Sequence, residues 1–268
     1  MPTTYTHDYF GKVVYRSMPS EMKELVRQNG EIYRIGLHGP DILFYYMLSK
    51  NPVSKYGVKL HGLPAADFFE KGMEKVRKTK DPELFAYLLG FGCHYILDST
   101  CHPYVRQLDR EGRISHTLVE KEFDRFLMEK TGKNPYRYHP SDAITAKRHY
   151  AEVIHRAIPQ VSAFNIWVSM RMQKRLTNLM VCDDGGRKRK LAKRILSPFG
   201  SRAEGVLDYL MTPMAPENLS EELSTLCELF DQAAREAPPA LNELWELSSQ
   251  DKKLSPRWMF NYSGECTV

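Results

Sequence analysis

The sequence lacks any apolar run long enough to cross a membrane. The longest such stretch near its start, residues 41–48, falls far below the roughly 18 residues that a span requires. The first residues also lack the basic and apolar regions of a secretory leader, so we expect a cytoplasmic protein without a transmembrane segment. The five cysteines are odd in number and scattered. They suit a reducing compartment and form no disulfide framework.

A large excess of one charge is also absent. Lysine and arginine total 38 against 33 aspartates and glutamates, which gives a net charge of +5 at pH 7. Such a mild excess permits an anionic ligand but does not by itself indicate nucleic acid. With 42% hydrophobic and 26% charged residues over 268 positions, the composition is that of a folded globular protein with an ample core.

Strand signals are scarce, and apolar residues recur with the period of a helix. The stretch from Leu84 to about Cys101 is apolar nearly all round, which predicts the buried central helix of a bundle. We expect Pro103 to end that helix. Residues 50–57 are predicted to form a polar loop.

The second half of the chain is also predicted to be helical, with separate helices over 221–237 and 241–247. No clean linker divides the sequence. We therefore predict an all-α multi-helix bundle, with a metal-binding helical core over 1–140. The helical remainder, 141–268, is expected to pack on that core within the same single domain.

Two histidines are followed by a carboxylate four residues later on predicted helices. His94 and Asp98 form one pair, and His116 and Glu120 form the other. Residues at i and i+4 project from one helix face, and imidazole nitrogen and carboxylate oxygen both bind zinc. The alternative is an intrahelical hydrogen bond, since about one such pair is expected by chance. His102 adds a third position to the face of His94 and Asp98.

The segment from His38 to Asp41 is a loop that delivers Asp41 to a predicted helix start. Taken alone, the better interpretation is that this carboxylate interacts with the helix N-terminus. Phe44, Tyr45 and Tyr46 follow. They are candidates to line a pocket, but we expect at least two of the three to be core residues.

Taken together, these residues resemble the bacterial zinc-dependent phospholipase C family, which includes secreted phosphatidylcholine phospholipase C and the catalytic domain of clostridial alpha-toxin. The resemblance covers roughly residues 1–130. It depends on eight ligand types in the family's order: His7, Asp41, His61, His94, Asp98, His102, His116 and Glu120. It implies an all-α fold of the phospholipase C and P1 nuclease type, with a trinuclear zinc site that cleaves a phosphodiester.

Position by position, the resemblance implies three zinc sites. The first is held by His94, Asp98, Asp41 and His61, the second by His102, His116 and Glu120, and the third by His7 and a shared Asp98. It also implies that Asp41 orients or deprotonates the attacking water. We predict about two to three zinc ions, although iron or manganese suits the same ligand types. The predicted substrate is a small phosphodiester or phospholipid headgroup, cleaved by a cytoplasmic branch of the family.

The start of the chain departs from the secreted enzymes, in which an N-terminal Trp binds the third zinc. No Trp occurs before Trp167. This loss favours an alternative function, a metal-binding interaction or regulatory protein without catalysis. Retention of the other ligand types favours the hydrolase. A phosphohydrolase of the His-Asp type, suggested by His7 and Asp8, would need an upstream histidine that the first six residues lack.

Arg187–Arg194 is a basic run that could attract a phosphorylated substrate, an anionic membrane surface or RNA. A solvated helix face is the simpler interpretation, because such runs are common on helix surfaces. We keep contact with an anionic surface as a partner prediction and set nucleic acid aside.

Overall fold

The computed structural model describes residues 4–47, 51–181, 186–196, 210–211 and 219–266, and these are predominantly helical. The helices are α1 (Thr4–Ser17), α2 (Ser20–Gln28), α3 (Gly30–Gly36), α4 (Pro52–Gly62), α5 (Ala65–Thr79), α6 (Pro82–Arg110), α7 (His116–Lys130), α8 (Arg148–Ala157), α9 (Ala163–Met180), α10 (Arg187–Leu196) and α11 (Ser220–Leu247). Short 3₁₀ segments cover Gly39–Tyr45, Pro140–Ala143 and Pro256–Met259. Among the described residues the only β pairing is one isolated bridge. The predicted all-α fold is confirmed.

Helix α6 is the centre of the fold. Every residue from Leu84 to Asp98 is buried, because this stretch is apolar nearly all round and α1, α3, α5 and α11 pack around it. The predicted end at Pro103 is wrong, since the helix continues through that residue. Val105 and Leu108 beyond it are buried, and their burial offsets the roughly 3 kcal/mol that a proline costs inside a helix.

Two glycines allow α3 to lie directly against α6. A Cβ atom on Gly36 would overlap the carbonyl oxygen of Tyr87, and one on Gly90 would overlap the carbonyl oxygen of Tyr33. The two backbones therefore touch. The chain leaves α3 at Leu37, beside the helical turn of α6 that follows Gly90.

The prediction of a polar loop over 50–57 is wrong for its described part, because Pro52 begins α4. Asn51 caps this helix, accepting hydrogen bonds from the amides of Val53 at 2.9 Å and Ser54 at 3.0 Å. The Ser54 hydroxyl accepts from the Asn51 amide in return, and Pro52 occupies the first turn, where its missing N–H is not needed. Residue 50 lies outside the described residues.

The two helices predicted over 221–247 are one helix, α11, which passes through Pro238 and Pro239. Ala237 and Leu241, on either side of the prolines, are both fully buried. Packing against α6 therefore maintains a helix that the two prolines would interrupt in isolation.

The C-terminal tail returns the chain to α6. Trp258 is fully buried between Phe69, at a centroid distance of 4.7 Å, and Tyr95, at 5.2 Å. The Tyr95 hydroxyl donates to the carbonyl oxygen of Arg257 at 2.6 Å. These contacts fix the tail beside the second half of α6.

One apolar core extends from Tyr5 to Tyr262 and includes residues from both sides of position 140. The division of the chain into 1–140 and 141–268 stays a prediction. No helix among the described residues has the length and hydrophobicity needed to cross a membrane.

Candidate metal centre

Two helices supply five of the eight predicted ligands. His94, Asp98 and His102 follow one another at intervals of one turn along α6, and His116 and Glu120 lie one turn apart at the start of α7. Both intervals are i to i+4, so the side chains of each helix project from one face. The two faces meet, with His102 Nε2 lying 3.2 Å from Glu120 Oε1.

The other three predicted ligands come from separate elements. His7 lies in the first turn of α1, Asp41 in the 3₁₀ segment after α3, and His61 at the end of α4. The structure brings all eight side chains together. They form three groups whose potential ligand atoms lie within 4.8 Å of one another: His7, Asp41 and His94; His61, His94 and Asp98; His102, His116 and Glu120. Their role as ligands stays a prediction.

Asp98 joins two of the elements through its two oxygens. Oδ1 lies 3.3 Å from Nε2 of His7, and Oδ2 lies 3.1 Å from Nε2 of His94. Asp41 Oδ1 lies 3.0 Å from Nε2 of His61. Ligand atoms around a tetrahedral zinc ion, at bonds of 2.0–2.1 Å, are separated by about 3.3 Å. The spacing of these pairs therefore fits a shared ion.

The imidazole rings are oriented by backbone carbonyl groups. Nδ1 of His61 faces the carbonyl oxygen of Gly57 at 2.8 Å, Nδ1 of His94 faces that of Leu37 at 3.2 Å, and Nδ1 of His102 faces that of Tyr262 at 3.0 Å. A proton on Nδ1 satisfies each carbonyl and leaves a bare lone pair on Nε2. Metal-binding histidines are commonly held in this way.

This orientation bears on the alternative of a simple His–Asp hydrogen bond. An Nε2 lone pair that faces a carboxylate is repelled unless a cation lies between the two atoms. Nε2 of His94 is buried and makes no hydrogen bond among the described residues, and a buried, unsatisfied nitrogen is unfavourable. The group consequently requires either an additional proton or a metal ion.

The electrostatics show how strongly this site attracts positive charge. Burial alone would raise the pKa of Asp98, but the imidazoles of His102 and His94 hold it well below its usual range. Burial disfavours a charged His102, yet Asp98 and Glu120 raise its pKa to about 9. Burial and the neighbouring His94 lower the pKa of His7. The carboxylates are thus ionised and ready to accept a cation.

Asp124 holds the start of α1 in place. Its carboxylate accepts hydrogen bonds from the amides of Tyr5 at 3.3 Å and Thr6 at 2.8 Å, and from the hydroxyl of Thr6 at 2.5 Å. Asp124 lies one turn after Glu120 on α7, and His7 follows Thr6 directly. One helix therefore supplies a predicted ligand and also positions another.

The groups enclose a cavity of about 180 Å³. Besides seven of the predicted ligands, its wall contains Phe44, Val58, Arg106 and Ser263. The ring of Phe44 stacks on His61 with centroids 5.1 Å apart. The guanidinium of Arg106 pairs with Glu265 at 3.1 Å.

Sequence reasoning overlooked the contribution of the tail, which provides Ser263 and the Tyr262 carbonyl. No periodicity connects these residues to His102, 160 positions earlier. The expectation for the aromatic residues agrees with the structure. Phe44 lines the cavity, whereas Tyr45 is buried away from it and the Tyr46 hydroxyl donates to Asn165 at 3.1 Å.

Comparison with known proteins identifies one family. The family described as zinc dependent phospholipase C matches residues 6–163, more than half of the chain and a range that includes every predicted ligand. No curated protein and no solved structure matches.

Proposed function

The chain belongs to the zinc-dependent phospholipase C family, and on that basis we propose that it is a zinc-dependent phosphoric diester hydrolase. The observation that carries the proposal is the arrangement of Asp98, whose two oxygens face the imidazoles of His7 and His94, which lie on two different helices. A carboxylate placed in this way suits ions bound side by side. Adjacent ions are the arrangement that many phosphodiester-cleaving sites use.

Zinc bound at these groups would supply positive charge to the phosphodiester oxygens and a water molecule with a pKa near 7. The proton transfers of the reaction are assigned to a residue of the chain. Asp41 reaches the cavity from the short 3₁₀ segment, and we assign it to orient the attacking water and accept its proton. As the P–O bond to the leaving alcohol breaks, the proton on Asp41 returns to the leaving alkoxide, directly or through a second water.

The position of Arg106 in the cavity wall favours an anionic substrate. Among the described residues of the wall, it is the one charged residue that belongs to none of the three groups, and its side chain is 46% exposed. An arginine presents five N–H donors, so its contact with Glu265 leaves donors for a phosphoryl oxygen. Phe44 and Val58 provide apolar surface beside it.

We propose a phospholipid headgroup or a small phosphodiester as the substrate, with a cytoplasmic location. Contact of Arg187–Arg194 with an anionic surface is a separate proposal, because those residues lie outside the matched range 6–163.

The alternative is a protein that binds zinc without catalysis. Turnover of a chromogenic phosphodiester by zinc-loaded protein separates the two functions. We expect activity that a chelator removes and that D98N abolishes. The matched control is D67N, the same change at a carboxylate whose side chain is 72% exposed, which should keep full activity. Zinc binding without turnover on any soluble or lipid diester would favour the alternative.

A further inference from the structure

Among the described residues, helix α10 contacts the rest of the protein through Ala192 and Lys188. Ala192 packs against Leu210, which Tyr136 and Met211 also contact. The Lys188 ammonium donates to the carbonyl oxygen of Val181 at 2.8 Å, next to the end of α9. These contacts fix which face of the helix points outwards.

The outward face carries two large aliphatic side chains. Leu191 is 59% exposed and Ile195 is 61% exposed. Their i to i+4 spacing places them side by side on the helix surface, about 60–100° of rotation away from Ala192. An amphipathic helix of a globular protein normally turns its aliphatic face towards the core. In α10 that face points to solvent.

Cations surround this apolar pair. The ten residues of α10 include Arg187, Lys188, Arg189, Lys190, Lys193 and Arg194 and no acidic residue. On the helical wheel, Arg187 and Arg194 flank Leu191 on one side, and Lys188 flanks Ile195 on the other. Long basic side chains at the border of an apolar stripe can extend towards lipid phosphates while their stems remain against acyl chains.

We propose that α10 docks on an anionic lipid bilayer, with Leu191 and Ile195 inserted between the headgroups and the basic side chains bound to lipid phosphates. The charge pattern is complementary to such a surface, since lysines and arginines near an anionic leaflet are attracted to its phosphates. Nucleic acid would use the cations but leave the aliphatic pair in water. A bilayer accommodates both parts of the face, because its headgroups bind the cations and its apolar region receives the aliphatic pair.

The docked helix is connected to the helix that supplies His116 and Glu120. Ala192 packs against Leu210, and so does Tyr136, whose hydroxyl accepts a hydrogen bond from Arg125 of α7 at 3.3 Å. A bilayer contact at α10 is therefore linked to α7 through Leu210 and Tyr136. The inference does not depend on the proposed hydrolysis, because α10 lies outside the matched family range.

Vesicle flotation with the zinc-loaded full chain tests the inference. One set of vesicles contains phosphatidylcholine alone, and in the other phosphatidylglycerol replaces part of it. We expect binding to the anionic set only. Replacing the two exposed arginines that flank Leu191 with R187Q/R194Q should weaken that binding about 30-fold, from about 1 kcal/mol per cation. Removing the apolar pair with L191Q/I195Q should weaken it by at least about tenfold.

Two matched controls accompany these variants. K71Q/K78Q makes the same change in charge at exposed lysines of α5, and L63Q replaces an aliphatic residue that is 42% exposed elsewhere. Both should bind vesicles like the parent protein. Thermal melting should show that all four variants are folded. Released headgroup is measured in parallel so that hydrolysis cannot be mistaken for lost binding.

Three results would overturn the inference. The first is equal binding to neutral and anionic vesicles. The second is full vesicle binding by the α10 variants. The third is that those variants lose oligonucleotide binding or self-association while their vesicle binding stays unchanged. Turnover of a soluble diester should be the same in every α10 variant, so failure at the membrane can be distinguished from failure of the proposed function.

Discussion

Gly39 lies directly against the imidazole ring of His94. Its φ is +49°, and a Cβ atom at this position would overlap the ring. The left-handed conformation is unfavourable by about 1–2 kcal/mol for a residue with a side chain. Glycine therefore allows the chain to pass close enough for Asp41 to reach the site that His94 faces.

From this contact we predict that G39A loses zinc. The added methyl group displaces the His94 ring, and we expect zinc affinity to fall at least about tenfold, as for loss of a residue that orients a ligand. Zinc content after dialysis measures the effect. G30A is the control, since a Cβ atom there meets nothing within 4 Å. Normal zinc content in G39A would show that the ring has room to move.

The metal content should respond to each group separately. We predict about two to three zinc ions per chain in protein purified without added metal. E120Q should contain about one ion fewer, because Glu120 contributes only to the group of His102 and His116. Elemental analysis gives both numbers and identifies iron or manganese if either replaces zinc. Less than one ion per parent chain would contradict the proposed centre.

Asp124 should be important for stability although it belongs to no metal group. D124A leaves the amides of Tyr5 and Thr6 and the Thr6 hydroxyl without their acceptor. Loss of a buried acceptor costs about 1–3 kcal/mol, which chemical denaturation of the zinc-free protein would measure. D231A, at an exposed position of α11, should change stability by less than about 0.5 kcal/mol. Equal stability of the two variants would contradict the role of Asp124 in holding the start of α1 in place.

Zinc binding should release protons. The pKa of His102 is about 9 in the metal-free fold and 6.5 for an ordinary histidine. Its proton therefore stabilises the zinc-free fold fully below pH 6.5, and that contribution is lost as pH rises through 9. Zinc at Nε2 replaces this proton, so affinity should increase about tenfold per pH unit near neutrality.

Calorimetry of the zinc titration in two buffers with different ionisation enthalpies measures the released protons. We expect at least one per chain near neutral pH. Identical heats in the two buffers would mean that His102 is already neutral before zinc arrives.

The sequence predicts the part of the site that lies on regular helices. The i to i+4 spacing of His94, Asp98 and His102 needs only a helix to bring the side chains to one face. His7 and Asp41 arrive on other elements, and no spacing rule connects them. Only the family resemblance placed those two beside the helical ligands.

The errors in secondary structure have two causes. Local signals predicted an end at Pro103, a break at Pro238 and Pro239, and a loop after Asn51. In the first two cases buried residues on both sides of the prolines continue the helix, so tertiary packing outweighs local preference. In the third, a capping box with Ser54 starts a helix within a polar stretch.

The direct contact between the backbones of α3 and α6 has a consequence for how this protein tolerates substitution. Gly36 and Gly90 carry no functional group, yet any side chain on either would push the helices apart and shift Leu37 away from His94. A complete substitution scan should therefore find an intolerant pair at this crossing, about one helical turn from the candidate metal centre. Such a scan read without the structure would mistake these two glycines for members of that centre.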